Sequence, residues 1–163
     1  MAKSAAPKRP GKASTKVLPK TVAKSSRTPY VLDEQIGFIL RQVWQRHTMI
    51  FARDIGTNLT PTQWAALSKL AETGPCSQNQ LGRLTAMDVA TIKGVIDRLT
   101  ARGLTETTRD PQDGRRLLVS LTRAGQQLAD KTAPLALAIS RETLAPLDPK
   151  ERETLLSLLN KLR

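Results

Sequence analysis

The chain has 163 residues, 39% of them apolar, and carries a formal charge of +12. That is room for one domain, or one domain with an extension, and the charge points to a polyanionic partner, either a nucleic acid or an acidic membrane surface. One cysteine, Cys76, excludes an internal disulfide and suits a reducing cytoplasm. No apolar run approaches the roughly 18–20 residues of a membrane span. With one histidine and one cysteine there is no catalytic triad or zinc cluster, and no G-x-x-x-x-G-K-[ST] phosphate loop occurs. An enzyme is therefore not expected, and neither is a metal or other cofactor.

Residues 1–28, MAKSAAPKRPGKASTKVLPKTVAKSSRT, hold eight Lys and Arg and no acid, which leaves 18 basic against 14 acidic residues, or +4, for the rest of the chain. So few apolar side chains cannot offset the entropy of ordering, so this segment reads as a disordered basic tail. It serves either as a non-specific DNA-binding arm or as a solubilising extension. It lacks the apolar core of a secretory signal, and its scattered prolines fit a transit peptide poorly.

Residues 32–57 place Leu32, Ile36, Ile39, Leu40, Val43, Trp44, Ile50 and Phe51 on one helical stripe, so a single helix is expected there, with His47 and Asp54 on the same stripe. A second helix opens at TPTQ, with Thr60 as N-cap, Pro61 in the first turn and Gln63 closing a capping box. Trp64, Leu67 and Leu70 supply its buried side, and Gly74-Pro75 ends it. Ser77 starts another box, S-Q-N-Q, with Leu81 and Leu84 inward. Asp88 caps DVATIKGVIDRLTARG, whose apolar side is Val89, Ile92, Val95, Ile96 and Leu99, and Gly103 stops it.

The period then changes. LTETTR and RLLVSL are short strand-forming segments joined by the turn sequence DPQDG. Two short helices joined by a tight turn and followed by a hairpin make a winged helix-turn-helix. Residues 123–145 return to helix with Leu128, Leu135 and Ile139, although Pro134 is expected to kink or interrupt it. Asp148-Pro149-Lys150-Glu151 is a third capping box, before the narrow stripe of Leu155, Leu158, Leu159 and Leu162. Apolar helices at both ends of a small domain want a cover, either a second copy of the chain or this chain's own core.

This order resembles the MarR family of dimeric bacterial transcription regulators. The likeness is carried by LTPTQWAALSKLAETGP, SQNQLGRLTAMDVATIKGVIDRLTARGL and RDPQDGRRLLVSLTRAGQQL. It covers residues 32–163 in order, with a closer likeness to the family's nicotinate-catabolism repressors. The resemblance implies a mainly α fold with a small β-hairpin wing. In it a winged helix-turn-helix domain at 60–121 is flanked by dimerisation helices at 32–57 and 123–163, within a MarR-like domain of 29–163. It implies a homodimer reading a palindromic operator on double-stranded DNA, a cytoplasmic, nucleoid-associated place in a bacterium, and no membrane. A non-specific, nucleoid-type coating protein using tail and wing is the rival, and a helical protein-interaction module a third reading.

An α-helix fits the major groove, where each base pair shows its own donor and acceptor pattern. On 88–102 the face away from the apolar stripe carries Thr91 and Lys93 in the first turns, suited to base edges, and Arg98 further along, suited to a phosphate or to pairing with an acid. Gly94 departs from the family's usual arginine, so the family's sequence preference does not carry over. Ser77 and Gln78 open the preceding helix, where they cap it and suit phosphate oxygens. Arg115 at the hairpin tip matches the family's wing arginine for the narrow, negative minor groove. Asp110 and Asp113 match its paired acids and are expected to brace that arginine, with Arg116 adding a phosphate contact.

MarR-like proteins often release DNA when a small aromatic acid binds between the dimer helices and the winged domain. Trp44, His47 and Trp64 are the candidates for such a site. An imidazole beside an aromatic can orient a carboxylate, and it can equally be a core or interface residue. Asp54 is expected as an interface or capping partner. Nothing in the sequence gives Cys76 the cationic surroundings of a redox sensor.

Overall fold

Residues 29–163 are described in the computed structural model of the chain; the basic tail expected at 1–28 lies outside them. Asp33–Arg163 forms one compact unit. A short 3-10 turn at Leu32–Glu34 leads to six helices and one hairpin. The helices are α1 (Ile36–Asp54), α2 (Pro61–Thr73), α3 (Gln78–Leu84), α4 (Val89–Ala101), α5 (Arg123–Thr143) and α6 (Pro149–Lys161). The hairpin, β1 (Thr105–Arg109) and β2 (Leu117–Leu121), sits between α4 and α5.

Helix starts follow local chemistry. Thr60, Ser77, Asp88, Thr122 and Asp148 are all extended N-caps whose side-chain oxygens accept a backbone N–H from the first turn, each contributing about 1 kcal/mol. The Thr60–Gln63 and Asp148–Glu151 boxes are reciprocal. At Ser77 only the forward half forms, with Gln80 N–H donating to its Oγ. Helix α1 begins at Ile36, not at Leu32, because Gln35 is extended (φ −84°, ψ 128°) and starts the helix without a side-chain cap. It ends at Asp54, short of 57, where Gly56 takes a left-handed φ of +61°.

Two expectations are amended. Of the kink or interruption expected at Pro134, the interruption does not occur: α5 runs from Arg123 to Thr143 with the proline inside it. Its exposed ring faces solvent, while Ala129, Thr132 and Ile139 bury on either side of it, so packing offsets the lost N–H. Leu84 and Val89, expected inward, are exposed. They flank the turn between α3 and α4, where the chain passes through Ala86 at φ +52° and the helical stripe loses its phase.

One core unites α2, α3, α4, the hairpin and the start of α5 through Leu67, Leu70, Leu81, Ile92, Val95, Leu99, Val119 and Ala129. A second joins α1 to α5 through Ile50, Phe51, Ile55 and Ile139, with Trp64 and Leu135 packed against it. The strands pair antiparallel from Thr105↔Leu121 to Arg109↔Leu117. The hairpin base is pinned from outside as well, since Cys76 N–H donates to Val119 O at 3.1 Å and Val119 N–H to Cys76 O at 2.8 Å. Of the α1 stripe only Ile50 and Phe51 are buried; Ile36, Ile39, Leu40, Val43 and Trp44 stand 40–62% exposed. Helix α6 buries no residue.

Candidate nucleic-acid interface

Helix α3 presents its first turn to the hairpin tip. Ser77, Gln78 and Asn79 line one wall of a cleft of about 380 Å³ whose other wall is Arg115, Arg116 and Leu117. Four of the residues singled out in the sequence thus come together, and Asn79 joins them. Asn79 follows two polar residues at a helix start, and no periodicity separates it from ordinary solvated surface. Ser77 remains the helix cap throughout.

The tip is shaped by its acids. Asp110 Oδ1 accepts the Gln112 N–H at 2.9 Å and Asp113 Oδ1 the Arg115 N–H at 3.1 Å, while backbone bonds Asp110 N–H→Arg116 O and Arg116 N–H→Asp113 O close the turn. Asp110 also lies 3.8 Å from the Arg116 guanidinium. The acids therefore fix the backbone under Arg115 and draw in Arg116. The Arg115 guanidinium itself, which they were expected to hold, makes no hydrogen bond or ion pair among the described residues and projects free.

On α4 the exposed polar side chains divide by commitment. Thr91 gives its hydroxyl to Asp88 at 2.7 Å, and its N–H to the same carboxylate at 2.8 Å. Those bonds hold the exposed Asp88 carboxyl below the usual range. Lys93 pairs with Asp97 at 2.6 Å, four residues on and fully in solvent. Arg98, expected to meet a phosphate or an acid, meets no acid here; its guanidinium folds back over Gly94.

The aromatic site divides too. His47 lies between Trp44 (ring centroids 5.7 Å) and Phe51 (6.4 Å), tilted against both rings. Its Nδ1 lies 2.8 Å from Thr143 Oγ1 on α5. With that hydroxyl donating to Ile139 O at 2.9 Å, the tautomer that fits is the one protonated on Nδ1, which leaves Nε2 as the acceptor. Burial holds the His47 pKa below its ordinary value. Trp64 reaches the neighbouring apolar cluster from α2 without stacking on the imidazole. Arg46, not singled out in the sequence, clasps the C-terminus of α5 through Thr143 O at 3.0 Å, which suits the negative end of a helix. Asp54 pairs with Arg53 at 2.6 Å. Cys76 is buried, and burial pushes its thiol up, away from the reactive thiolate.

Among the described residues no helix is long and apolar enough to cross a membrane, and no cluster of His, Cys, Asp and Glu could hold a metal.

Residues 59–117, from the start of α2 to the far side of the hairpin turn, match the model of the family described as MarR family. The chain is 41% identical over 141 residues to the HTH-type transcriptional repressor NicR of Pseudomonas putida, covering 86% of this chain and 89% of that one. A crystal structure from Pseudomonas aeruginosa, described as a probable transcriptional regulator, superposes with a TM-score of 0.80 at 60% identity, over 82% of this chain and all of that one. BpsR of Bordetella bronchiseptica, whose DNA binding is regulated by 6-hydroxynicotinic acid, superposes with a TM-score of 0.78 at 41% identity, over 82% and 96% of the two chains.

Proposed function

The chain belongs to the MarR family of winged helix-turn-helix transcription regulators, and from that premise we propose that it is a dimeric, sequence-specific DNA-binding repressor released by a small aromatic acid. The observation that carries the reading is the convergence of α3 and the hairpin tip: Ser77, Gln78, Arg115 and Arg116 share one cleft beside an exposed α4. Helix α4 enters a major groove. The α3 first turn holds phosphates, and Arg115 enters the adjoining minor groove. The exposed apolar residues of α1, together with α6, cover one another across a two-fold axis. Two winged lobes then address half-sites about one helical turn apart.

The repressor role is supported by the likeness to NicR, and the effector class by the 6-hydroxynicotinic acid that regulates BpsR. On this chain Trp44 supplies an aromatic face, and His47 a ring nitrogen that becomes a donor to carboxylate once protonated. Trp64 acts behind them through the apolar cluster it shares with Phe51.

Genomic DNA capture at physiological salt, with the full chain and its Arg115→Ala variant, tests the proposal. The expected result is a few palindromic sites for the wild type, weakened in the variant by about tenfold for each wing lost, as for one charge-assisted bond of ~1.5 kcal/mol. Equal capture of unselected fragments by both proteins indicates a coating protein instead, since a specificity ratio, not bare affinity, defines a regulator. His47→Ala is expected to keep operator binding and lose release by 6-hydroxynicotinic acid.

A further inference from the structure

Arg98 and Gly94 form a unit that neither residue suggests alone. A Cβ built on Gly94 would lie 3.5 Å from Arg98 Nη2, 3.7 Å from Nη1 and 3.8 Å from Cζ. The whole guanidinium therefore lies across the bare backbone of the helix turn before its own. Long helical side chains lean toward the N-terminus over the i−4 position, and a residue no larger than alanine there leaves the planar group its seat on the helix surface. The head of Arg98 thus stands over the second turn of α4, not the third, which its sequence position suggests.

The competing cations on the helix and at its C-cap are engaged. Lys93 is tied to Asp97 at 2.6 Å, and Arg102 donates to Asn58 O at 2.7 Å. The Thr91 hydroxyl is committed to Asp88. Arg98 alone among these has no hydrogen bond or ion pair among the described residues, and it is exposed.

The geometry points to Arg98, seated on Gly94, as the specificity-determining side chain of α4, making a bidentate contact with one guanine in each half-site. This inference rests on the DNA-binding reading above. A guanidinium's parallel N–H groups match O6 and N7 of guanine in the major groove. A head lying over the early turns meets base edges, where one at the third turn would reach the flanking backbone. Gly94 sets where that fork stands.

Binding-site selection from a random duplex pool, using the full chain, tests this with four variants. Arg98→Ala and Arg98→Lys are expected to lose preference at one symmetric G·C position per half-site. That loss amounts to about ten- to a hundredfold in discrimination, with non-specific affinity little changed. Gly94→Ala is expected to keep the preference, because its Cβ meets the guanidinium at ordinary contact distance. Gly94→Val is expected to reproduce the Arg98→Ala pattern with Arg98 intact, since its extra methyls occupy the seat. Valine is a better helix former than glycine, so a loss of fold does not account for that result, and circular dichroism checks it.

If Arg98→Ala weakens all sequences equally and lowers the salt slope, the residue is a phosphate contact and the inference falls. It falls equally if Gly94→Val selects like the wild type. A wild type that selects no sequence at all overturns the regulator reading itself, an outcome distinct from either of these.

Discussion

Thr132 is fully buried in α5, and its Oγ1 has no hydrogen-bond partner among the described residues. A buried hydroxyl left unpaired costs about 1–3 kcal/mol. Thr132→Val keeps the shape and removes the hydroxyl, so it should raise stability by roughly 1 kcal/mol in urea titration; a lower midpoint would show that the hydroxyl has a partner after all. His47 carries a second consequence. Its folded pKa lies below the ordinary value of about 6.5, so below that pH the unfolded chain takes up the proton more readily. The stability contributed by the neutral, half-buried imidazole is complete above about 6.5 and is lost as pH falls beneath it. Because His47 is the only histidine, the melting temperature should fall between pH 7.5 and 5.5, and His47→Gln should flatten that dependence. At this scale the sequence singled out candidate side chains more readily than what they touch. Arg115, Lys93 and His47 stand out by type and position. That Lys93 is held by Asp97, or that Arg98 lies on Gly94, depends on side-chain rotamers, which residue type and spacing do not specify.

Elements were legible wherever a local rule was strong enough to decide. Thr60, Asp88 and Asp148 cap as their spacing predicts, and the hairpin forms around DPQDG with strands at 105–109 and 117–121. The start of α1 was not legible, because Gln35 carries no capping signal and the apolar stripe runs past the boundary. Whether α5 continues through Pro134 was left open between a kink and an interruption, because the rule against interior proline is local, whereas the packing that overrides it is tertiary. Gly125 shows the same limit. A Cβ there would stand 2.0 Å from the Leu104 carbonyl oxygen, so the first turn of α5 sits directly on the residue that opens the hairpin. The Thr122 N–H donates to that carbonyl, and the Thr122 hydroxyl donates to Gly103 O. Gly125→Ala must push backbone from backbone and is expected to cost 2 kcal/mol or about that, in the range of overpacked cores. Equilibrium unfolding measures it, and a neutral result would mean that this junction yields easily.

Exposed leucines at the end of α6 and exposed isoleucines at the start of α1 are a surface that monomers rarely carry. A self-associating chain gains apparent stability with concentration, so the thermal midpoint should fall across a hundredfold dilution. Leu158→Asp should leave the helical content intact while sedimentation shifts to a single chain and operator affinity drops. A midpoint independent of concentration would assign these faces to another partner. That a cover was needed could be read from the stripes alone; their true extent could not, since the buried half of α1 and its exposed half look alike in sequence. The bonds between Cys76 and Val119 have a consequence at this scale. They tie the middle of β2 to the entry of α3, and the Gly125 junction ties the start of β1 to α5, so the strands beneath the arginine tip are held from both sides. In the proposed dimer each lobe is one jaw of a caliper whose tips are fixed on the jaw. Such a tool lets go in one manner, by a change of gauge. On that reading an effector at the proposed Trp44–His47 site need only reset the opening slightly for both jaws to miss their marks at once.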